Sequence, residues 1–151
     1  MSGATELANA VKEAGIEIPI CFVGSHVSAL PLEVMDKEPS IDIVLCNEGV
    51  YALRNLLKTD IEDSEGLAQI KGIGYRKNGR PVLTAPEQIV SQERMDIDLP
   101  GYAWDLLPYD KKPLDLYRAH FWHAEYDHGK RTPFAAIYTS LGCTFKCDFC
   151  M

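Results

Sequence analysis

The chain has no long apolar run and no excess of basic residues. No stretch approaches the roughly 20 apolar residues that a membrane-spanning helix needs, so we expect no membrane span. The first 15 residues carry neither the basic nor the apolar segment of a secretory leader, and we therefore expect a cytoplasmic protein. Fifteen Lys and Arg against 22 Asp and Glu give a formal charge of −7, the wrong sign for broad contact with phosphate backbones. We therefore expect no nucleic acid partner.

The sequence also lacks the glycine signature of dinucleotide-binding domains. No Gly-x-Gly-x-x-Gly motif follows an apolar run, so the tight turn that approaches a pyrophosphate has no residues to form it. What is present is ordinary for a globular protein: 151 residues, 46% of them apolar and 25% charged. This length predicts about one domain.

Cysteine is scarce over most of the chain and crowded at one end. Cys21 and Cys46 stand alone beside apolar runs, whereas Cys143, Cys147 and Cys150 lie within the last nine residues. An odd count without a secretory leader argues against a disulfide framework and favours a metal site or reactive thiols. We expect the two isolated cysteines to be inert core thiols.

The first half of the chain alternates between helical and strand patterns. Residues 5–15, 30–36 and 50–58 predict helices, and the apolar, β-branched runs 16–23 and 41–45 predict strands buried on both faces. This order is typical of a doubly wound α/β sheet, because parallel strands need helical crossovers. Two parallel strands bury too little surface to stand alone, so we expect the chain to begin within a domain.

The second half has a different character. After an acidic linker at about residues 60–65, Asn78-Gly79 between two short apolar runs predicts a β-hairpin. Residues 85–132, rich in proline and aromatics, predict an ordered connector that wraps over a neighbouring domain. Residues 134–140 predict a last strand, which leads into the cysteine loop.

The clustered cysteines predict a metal centre. Thiolate sulfur is the ligand that iron-sulfur clusters require and that zinc also accepts. Three thiolates leave one iron of a cubane cluster open to a small molecule, whereas structural zinc needs a fourth protein ligand, such as His120, His123, His128 or a distant cysteine. The alternative to an enzyme is thus an α/β ligand-binding or interaction module with a zinc-binding cysteine knuckle at its carboxyl end.

The pattern Cys143-x3-Cys147-x2-Cys150, directly after a predicted strand and with Phe149 before the last cysteine, resembles the cluster loop of radical S-adenosylmethionine (radical SAM) enzymes. The resemblance implies that the three cysteines bind a 4Fe-4S cluster whose open iron chelates S-adenosylmethionine. Reductive cleavage of that molecule then starts radical chemistry. It also implies that Phe149 lies beside the adenine and that a reductant such as flavodoxin or ferredoxin supplies the electron.

The upstream segments 22–31, 41–49 and 72–79 are similar to the back half of the cobalamin-binding domain that precedes the radical SAM barrel in one branch of this family. That domain is Rossmann-like (flavodoxin-like), and its strand-end loops cradle the nucleotide tail of cobalamin, as is general for such sheets. The matching residues that the resemblance assigns to cobalamin are Gly24, Ser25, His26, Glu48 and Gly49.

The sequence departs from the cobalamin pattern at three places. Ser25 replaces the second of a glycine pair, and Asn47 replaces the glycine before Glu48-Gly49. The domain's first two strands and the Asp-x-His-x-x-Gly element, which carries the lower axial histidine, are absent. The sequence is therefore compatible with a cobalamin site that is retained and also with one that is reduced or lost.

The resemblance implies three segments. Residues 1–70 are the carboxyl-terminal part of a cobalamin-binding domain, 71–132 are the hairpin and connector, and 133–151 begin a truncated radical SAM β/α barrel. The implied reaction of the full-length enzyme is methyl transfer to an unactivated carbon of a small-molecule or metabolite substrate, with rearrangement and cyclisation as alternatives. We expect the chain alone to be inactive, because a closed cavity around the cluster would need the rest of the barrel.

Overall fold

A computed structural model describes residues 2–107, 118 and 120–134. These residues fall into two compact units, divided between Pro100 and Gly101. The predicted strand at 134–140 lies almost entirely outside the described residues, and the cysteine loop lies wholly outside them. Every helix in the described part of the chain is too short or too polar to span a bilayer.

The first unit combines short helices with short strands. In chain order its described elements are α1 (Ser2–Glu13), β1 (Cys21–Val23), α2 (Ser25–Ala29), α3 (Pro31–Lys37), β2 (Ile43–Leu45), α4 (Val50–Leu56), α5 (Ser64–Gln69), β3 (Ile73–Lys77), β4 (Arg80–Leu83) and α6 (Met95–Asp98). A 3-10 turn at Gln92–Arg94 leads directly into α6. The predicted helices at 5–15, 30–36 and 50–58 correspond to α1, α3 and α4.

The four strands form one sheet in the order β1-β2-β3-β4. β1 and β2 are parallel, β2 and β3 are antiparallel, and β3 and β4 form the predicted hairpin. Its turn residues Asn78 and Gly79 have φ of 53° and 76°, the left-handed conformation that a two-residue hairpin turn requires. The hairpin adds its two strands beside β2, a pairing that the sequence did not predict. The unit is thus a mixed α/β fold, compatible with a Rossmann-like domain.

The prediction of burial on both faces is confirmed for β2 and wrong for β1. Ile43, Val44 and Leu45 are all buried, at most 4% exposed. Cys21 is exposed, and Val23 is 63% exposed. Cys21 and Val23 point to the same face of β1 and are exposed there, whereas Phe22 points to the opposite face and packs against the core. An apolar run indicates that its residues avoid water, but it does not identify the surface that covers them.

The acidic segment predicted as a linker begins a helix instead. The carboxylate of Asp63 accepts a hydrogen bond from the backbone N–H of Glu65 at 3.1 Å and thereby caps α5. Carboxylates at a helix start are favoured by the unpaired N–H groups and the helix dipole. The buried Leu67 and the buried Ile70 then secure α5 against the sheet.

The core consists of two clusters on opposite faces of the sheet, because successive strand residues point to opposite sides. One cluster comprises Ile43, Leu45, Ala52, Leu67, Ile70, Ile73 and Tyr75. The other comprises Val27, Val34, Met35, Ile41 and Val44. The first cluster includes residues of α4 and α5 and the second includes residues of α2 and α3. The sheet is therefore covered by helices on both sides.

Arg76 on β3 ties the end of α3 to the sheet. Its Nη2 donates to the backbone oxygens of Met35 at 2.7 Å and Glu38 at 3.2 Å, and its Nε donates to the oxygen of Ile41 at 3.1 Å. The last carbonyl groups of a helix have no hydrogen-bond donor within the helix. A guanidinium that donates hydrogen bonds to these carbonyls therefore stabilises the helix end.

The described part of the second unit consists of short turns and one bridge. Its described elements are the 3-10 turns Trp104–Leu106, Phe121–Ala124 and His128–Lys130, and an antiparallel bridge between Arg118 and Pro133. Tyr102 stacks on Trp104 with ring centroids 5.0 Å apart. Arg118 donates to the backbone oxygen of Arg131 at 3.1 Å. Aromatic and arginine contacts thus connect the described residues of this proline-rich segment.

Gly74 on β3 packs closely against Val44 of β2 and Met35 of α3. A Cβ at this position would lie 2.7 Å from Val44 Cγ2 and 3.1 Å from Met35 Sδ. Val44 and Met35 are fully buried, so neither side chain has space into which it can withdraw.

We predict that Gly74→Ala destabilises the first unit by about 1–3 kcal/mol, because overpacking a dense core forces side chains from their preferred rotamers. Gly3→Ala is the matched control, since no atom lies within 4 Å of a Cβ there and Gly3 lies in α1. That control should leave stability unchanged or slightly raised. Urea unfolding measures both, and equal stability of the two variants would contradict the packing argument.

Candidate functional site

The two loops that the sequence assigns to cobalamin lie at one edge of the sheet. β1 and β2 are parallel with Val23 opposite Leu45, so both strands end at the same edge. The backbone N–H of Asn47 donates to Ser28 Oγ at 2.9 Å, which joins the loop after β2 to α2. The structure thus brings Gly24, Ser25 and His26 to the same edge as Glu48 and Gly49, where α/β sheets generally bind ligands.

The loop after β1 is open. Gly24 has φ of 134°, a conformation that side chains rarely adopt, and no atom lies within 4 Å of a Cβ built on it. Ser25 and His26, the first residues of α2, are exposed. The backbone of this loop is therefore accessible, and no described residue fills the space beside Gly24.

Residues of the loop after β2 contact other parts of the same chain. Gly49 is buried with φ of 70°, and a Cβ there would lie 3.3 Å from Leu45 Cβ. The carboxylate of Glu48 accepts a hydrogen bond from the backbone N–H of Val90 at 3.0 Å. Packing and backbone conformation thus account for this glycine, and an internal contact accounts for Glu48, without any ligand.

Backbone hydrogen bonds connect the loop after β2 to the two residues that flank the hairpin, Gly72 and Ala85. Cys46 N–H donates to the oxygen of Gly72 at 2.9 Å, and Gly72 N–H donates to the oxygen of Ala85 at 2.8 Å. The cavity that remains between residues 46–52 and 87–89 measures about 10 Å³, roughly the space that one water needs. A cofactor therefore does not fit inside this cavity, and the contact between Glu48 and cobalamin stays a prediction.

The two isolated cysteines have weakly acidic thiols. Burial raises the pKa of the Cys21 thiol to about 11 and also raises the pKa of Cys46, which is half-buried. A raised pKa leaves little thiolate at neutral pH, so both thiols are poor nucleophiles. The Cys21 residue is nevertheless exposed, so the expectation of a core position is wrong for it, because it lies on the face of β1 opposite to Phe22, which packs on the core.

The predicted metal ligands lie largely beyond the described residues. Cys143, Cys147, Cys150 and Phe149 are outside them, so their roles stay predictions that rest on the donor chemistry of three thiolates. Within the described residues, no three histidine, cysteine, aspartate or glutamate side chains are grouped so as to hold a metal ion. His123 stacks on Phe134 with ring centroids 5.6 Å apart.

A cluster of charged residues near the end of the first unit was missed by the sequence analysis. The carboxylate of Asp98 accepts hydrogen bonds from Tyr51 Oη at 2.6 Å and from Arg94 Nε and Nη2, each at 3.0 Å. Arg54 Nη1 lies 3.7 Å from Asp98 Oδ1, and the Asp98 side chain is only 7% exposed. The one local sequence pattern that indicates this cluster is the i,i+4 spacing of Arg94 and Asp98, which favours an ion pair on a helix.

The cluster shifts the acidity of its members. The hydrogen bond from Arg94, followed by that from Tyr51, lowers the pKa of Asp98. The hydrogen bond to Asp98 and burial raise the pKa of Tyr51. Asp98 is therefore held as a carboxylate and Tyr51 as a neutral donor at physiological pH.

Comparison with known proteins supports a methyltransferase link. No family model matches the chain. It is 30% identical over 150 residues to an uncharacterized methyltransferase of Pyrococcus horikoshii, a match covering 99% of this chain and 28% of the relative. It is 27% identical over 146 residues to the cobalamin-dependent radical SAM methyltransferase TokK of Streptomyces tokunonensis, covering 96% of this chain and 19% of that protein.

Both relatives are named methyltransferases, and both matches extend over nearly the whole chain, which supports an enzyme. The chain spans less than a third of the length of either relative.

We predict that Glu48→Ala destabilises the loop after β2 even without any cofactor. The variant leaves the partly buried N–H of Val90 without its acceptor, which costs about 1–2 kcal/mol. Amide hydrogen exchange at Val90 should accelerate in Glu48→Ala, and Glu48→Gln, which keeps an acceptor oxygen, should preserve most of the protection. Glu17→Ala removes an exposed carboxylate as a control. Unchanged exchange in Glu48→Ala would show that the contact contributes nothing.

Proposed function

We propose that the chain is part of a cobalamin-binding radical SAM enzyme that transfers a methyl group to an unactivated carbon of a small-molecule or metabolite substrate. The observation that carries the proposal is the match over 96% of the chain to a relative named as a cobalamin-dependent radical SAM methyltransferase. The cysteine pattern Cys143-x3-Cys147-x2-Cys150 supports the same chemistry independently.

In this proposal Cys143, Cys147 and Cys150 hold a 4Fe-4S cluster and Phe149 contacts the adenine of S-adenosylmethionine. The cluster, when bound and reduced by a flavodoxin or ferredoxin, supplies the electron that cleaves S-adenosylmethionine and starts radical chemistry. The chain's own part is to present three thiolates on one loop, because a cluster held by three ligands keeps one iron open.

The cobalamin tail is proposed to lie against the loop after β1. The open space beside Gly24 and the exposed Ser25 and His26 provide accessible backbone and polar groups. Glu48 and Gly49 would contribute mainly by keeping the neighbouring loop rigid, since Glu48 binds Val90 and Gly49 packs on Leu45. A rigid loop beside an open one pre-organises a surface for a ligand.

We predict that replacing any one of Cys143, Cys147 and Cys150 by Ala abolishes the visible absorbance of a 4Fe-4S cluster. The measurement uses protein carrying these residues, purified and reconstituted without oxygen. Two thiolates hold a cubane cluster poorly, so each single change should suffice.

Cys21→Ala and Cys46→Ala are the controls for this experiment and should retain the absorbance. Equal loss in these two variants would contradict the assignment of the ligands. A colourless wild-type protein that contains zinc would instead favour the zinc knuckle alternative.

We predict that Gly24→Trp blocks binding of hydroxocobalamin by filling the open space at the loop after β1. Gly24→Ala is the matched control, because it suffers the same strain at φ of 134° and adds only one methyl group. Equilibrium dialysis should show much weaker binding for the Trp variant than for the Ala variant. If both variants bind as the wild type does, the loop after β1 is not part of the cobalamin site.

A further inference from the structure

The Asp98 cluster borders a cavity that the proposed function does not use. The cavity measures about 290 Å³ and lies between α4 and the segment 88–98. Its polar walls are formed by Tyr51, Arg54, Gln88, Ser91, Arg94 and Asp98. We call this space the arginine pocket.

Arg54 lies at the wall of the arginine pocket, next to Tyr51 and Asp98. Its guanidinium carbon lies 4.7 Å from the centre of the Tyr51 ring, and its Nη1 lies 3.7 Å from the Asp98 carboxylate, beyond hydrogen-bond length. Among the described residues, no protein acceptor takes a hydrogen bond from Arg54. A stacked, half-exposed guanidinium with free donors is pre-organised for an oxyanion.

The charges around the pocket favour an anionic ligand. Two guanidiniums, those of Arg54 and Arg94, face one carboxylate, that of Asp98, so the walls carry a net positive charge. Glu93 lies nearby but is not a wall residue, and the hydrogen bond that its carboxylate accepts from its own backbone, followed by that from Ser91, lowers its pKa. The hydroxyl of Ser91 is therefore engaged, and the remaining donors are Arg54, the amide of Gln88 and the outer N–H groups of Arg94.

We propose that the arginine pocket binds a phosphate group, either as free phosphate or as the end of a small organic phosphate. A guanidinium matches a phosphate in a two-point contact, and the Arg54 donors lie at the wall of a space that also admits an attached organic group. Asp98 positions Arg94 through two hydrogen bonds from its Nε and Nη2. The pocket requires neither the cluster nor cobalamin.

The proposal is tested by isothermal titration calorimetry of the full chain with inorganic phosphate and, separately, with ribose 5-phosphate, at low ionic strength. We expect saturable binding with a dissociation constant on the order of 1 mM or tighter. Tighter binding of ribose 5-phosphate would identify an organic phosphate as the ligand, and equal binding would identify the phosphate group alone.

Three variants distinguish phosphate binding in the arginine pocket from general electrostatic attraction of phosphate to the protein surface. Arg54→Gln should weaken binding by about tenfold or more, because hydrogen bonds to charged groups are the strong ones. Gln88→Ala, at an exposed position that keeps every charge, should weaken binding a few-fold. Arg80→Gln removes the same charge from the exposed end of β4 and should bind phosphate as the wild type does. Absence of saturable binding, or equal loss in Arg54→Gln and Arg80→Gln, would overturn the proposal.

Discussion

The packing of the first unit depends on the contact between one face of β3 and the helix α3. Gly74 and Arg76 are two residues apart and therefore point to the same side of the sheet. The glycine lets Met35 and Val44 pack where a side chain would collide, and the arginine binds the carbonyl groups at the end of the helix. Ile73 and Tyr75 alternate with them and fill the opposite core cluster. One short strand thus organises both layers of helices.

The same strands also determine the shape of the candidate site. The hairpin brings Gly72 and Ala85 beside the loop after β2, and the chain beyond it supplies the Val90 N–H that engages Glu48. The loop after β1 has no such support and stays open at Gly24. The two loops at the sheet edge therefore differ in character. One is a rigid wall held by residues far along the chain, and the other is an accessible surface.

Local patterns predicted local structure. The strand β2 and the turn at Asn78-Gly79 were predicted correctly, because residues that are neighbours in the sequence determine both of them. The pairing of β3 with β2, the bond from Val90 to Glu48 over 42 positions and the bond from Tyr51 to Asp98 over 47 were not predicted. Such contacts depend on which surfaces meet after folding, and no local pattern encodes that. The cysteine loop is the opposite case, because the spacing of its three cysteines alone predicts a metal centre.

The position of the hairpin in the chain affects how the protein emerges from the ribosome. β1 and β2 are synthesised first, but β2 obtains its antiparallel neighbour only when β3 and β4 have been made. At ordinary rates of translation the 38 residues from Leu45 to Leu83 take roughly 2–8 s. During this interval the apolar side chains of β2 and the unpaired edges of both strands are open to contact with other chains. The β2 strand of the nascent chain is therefore exposed to aggregation until its hairpin appears.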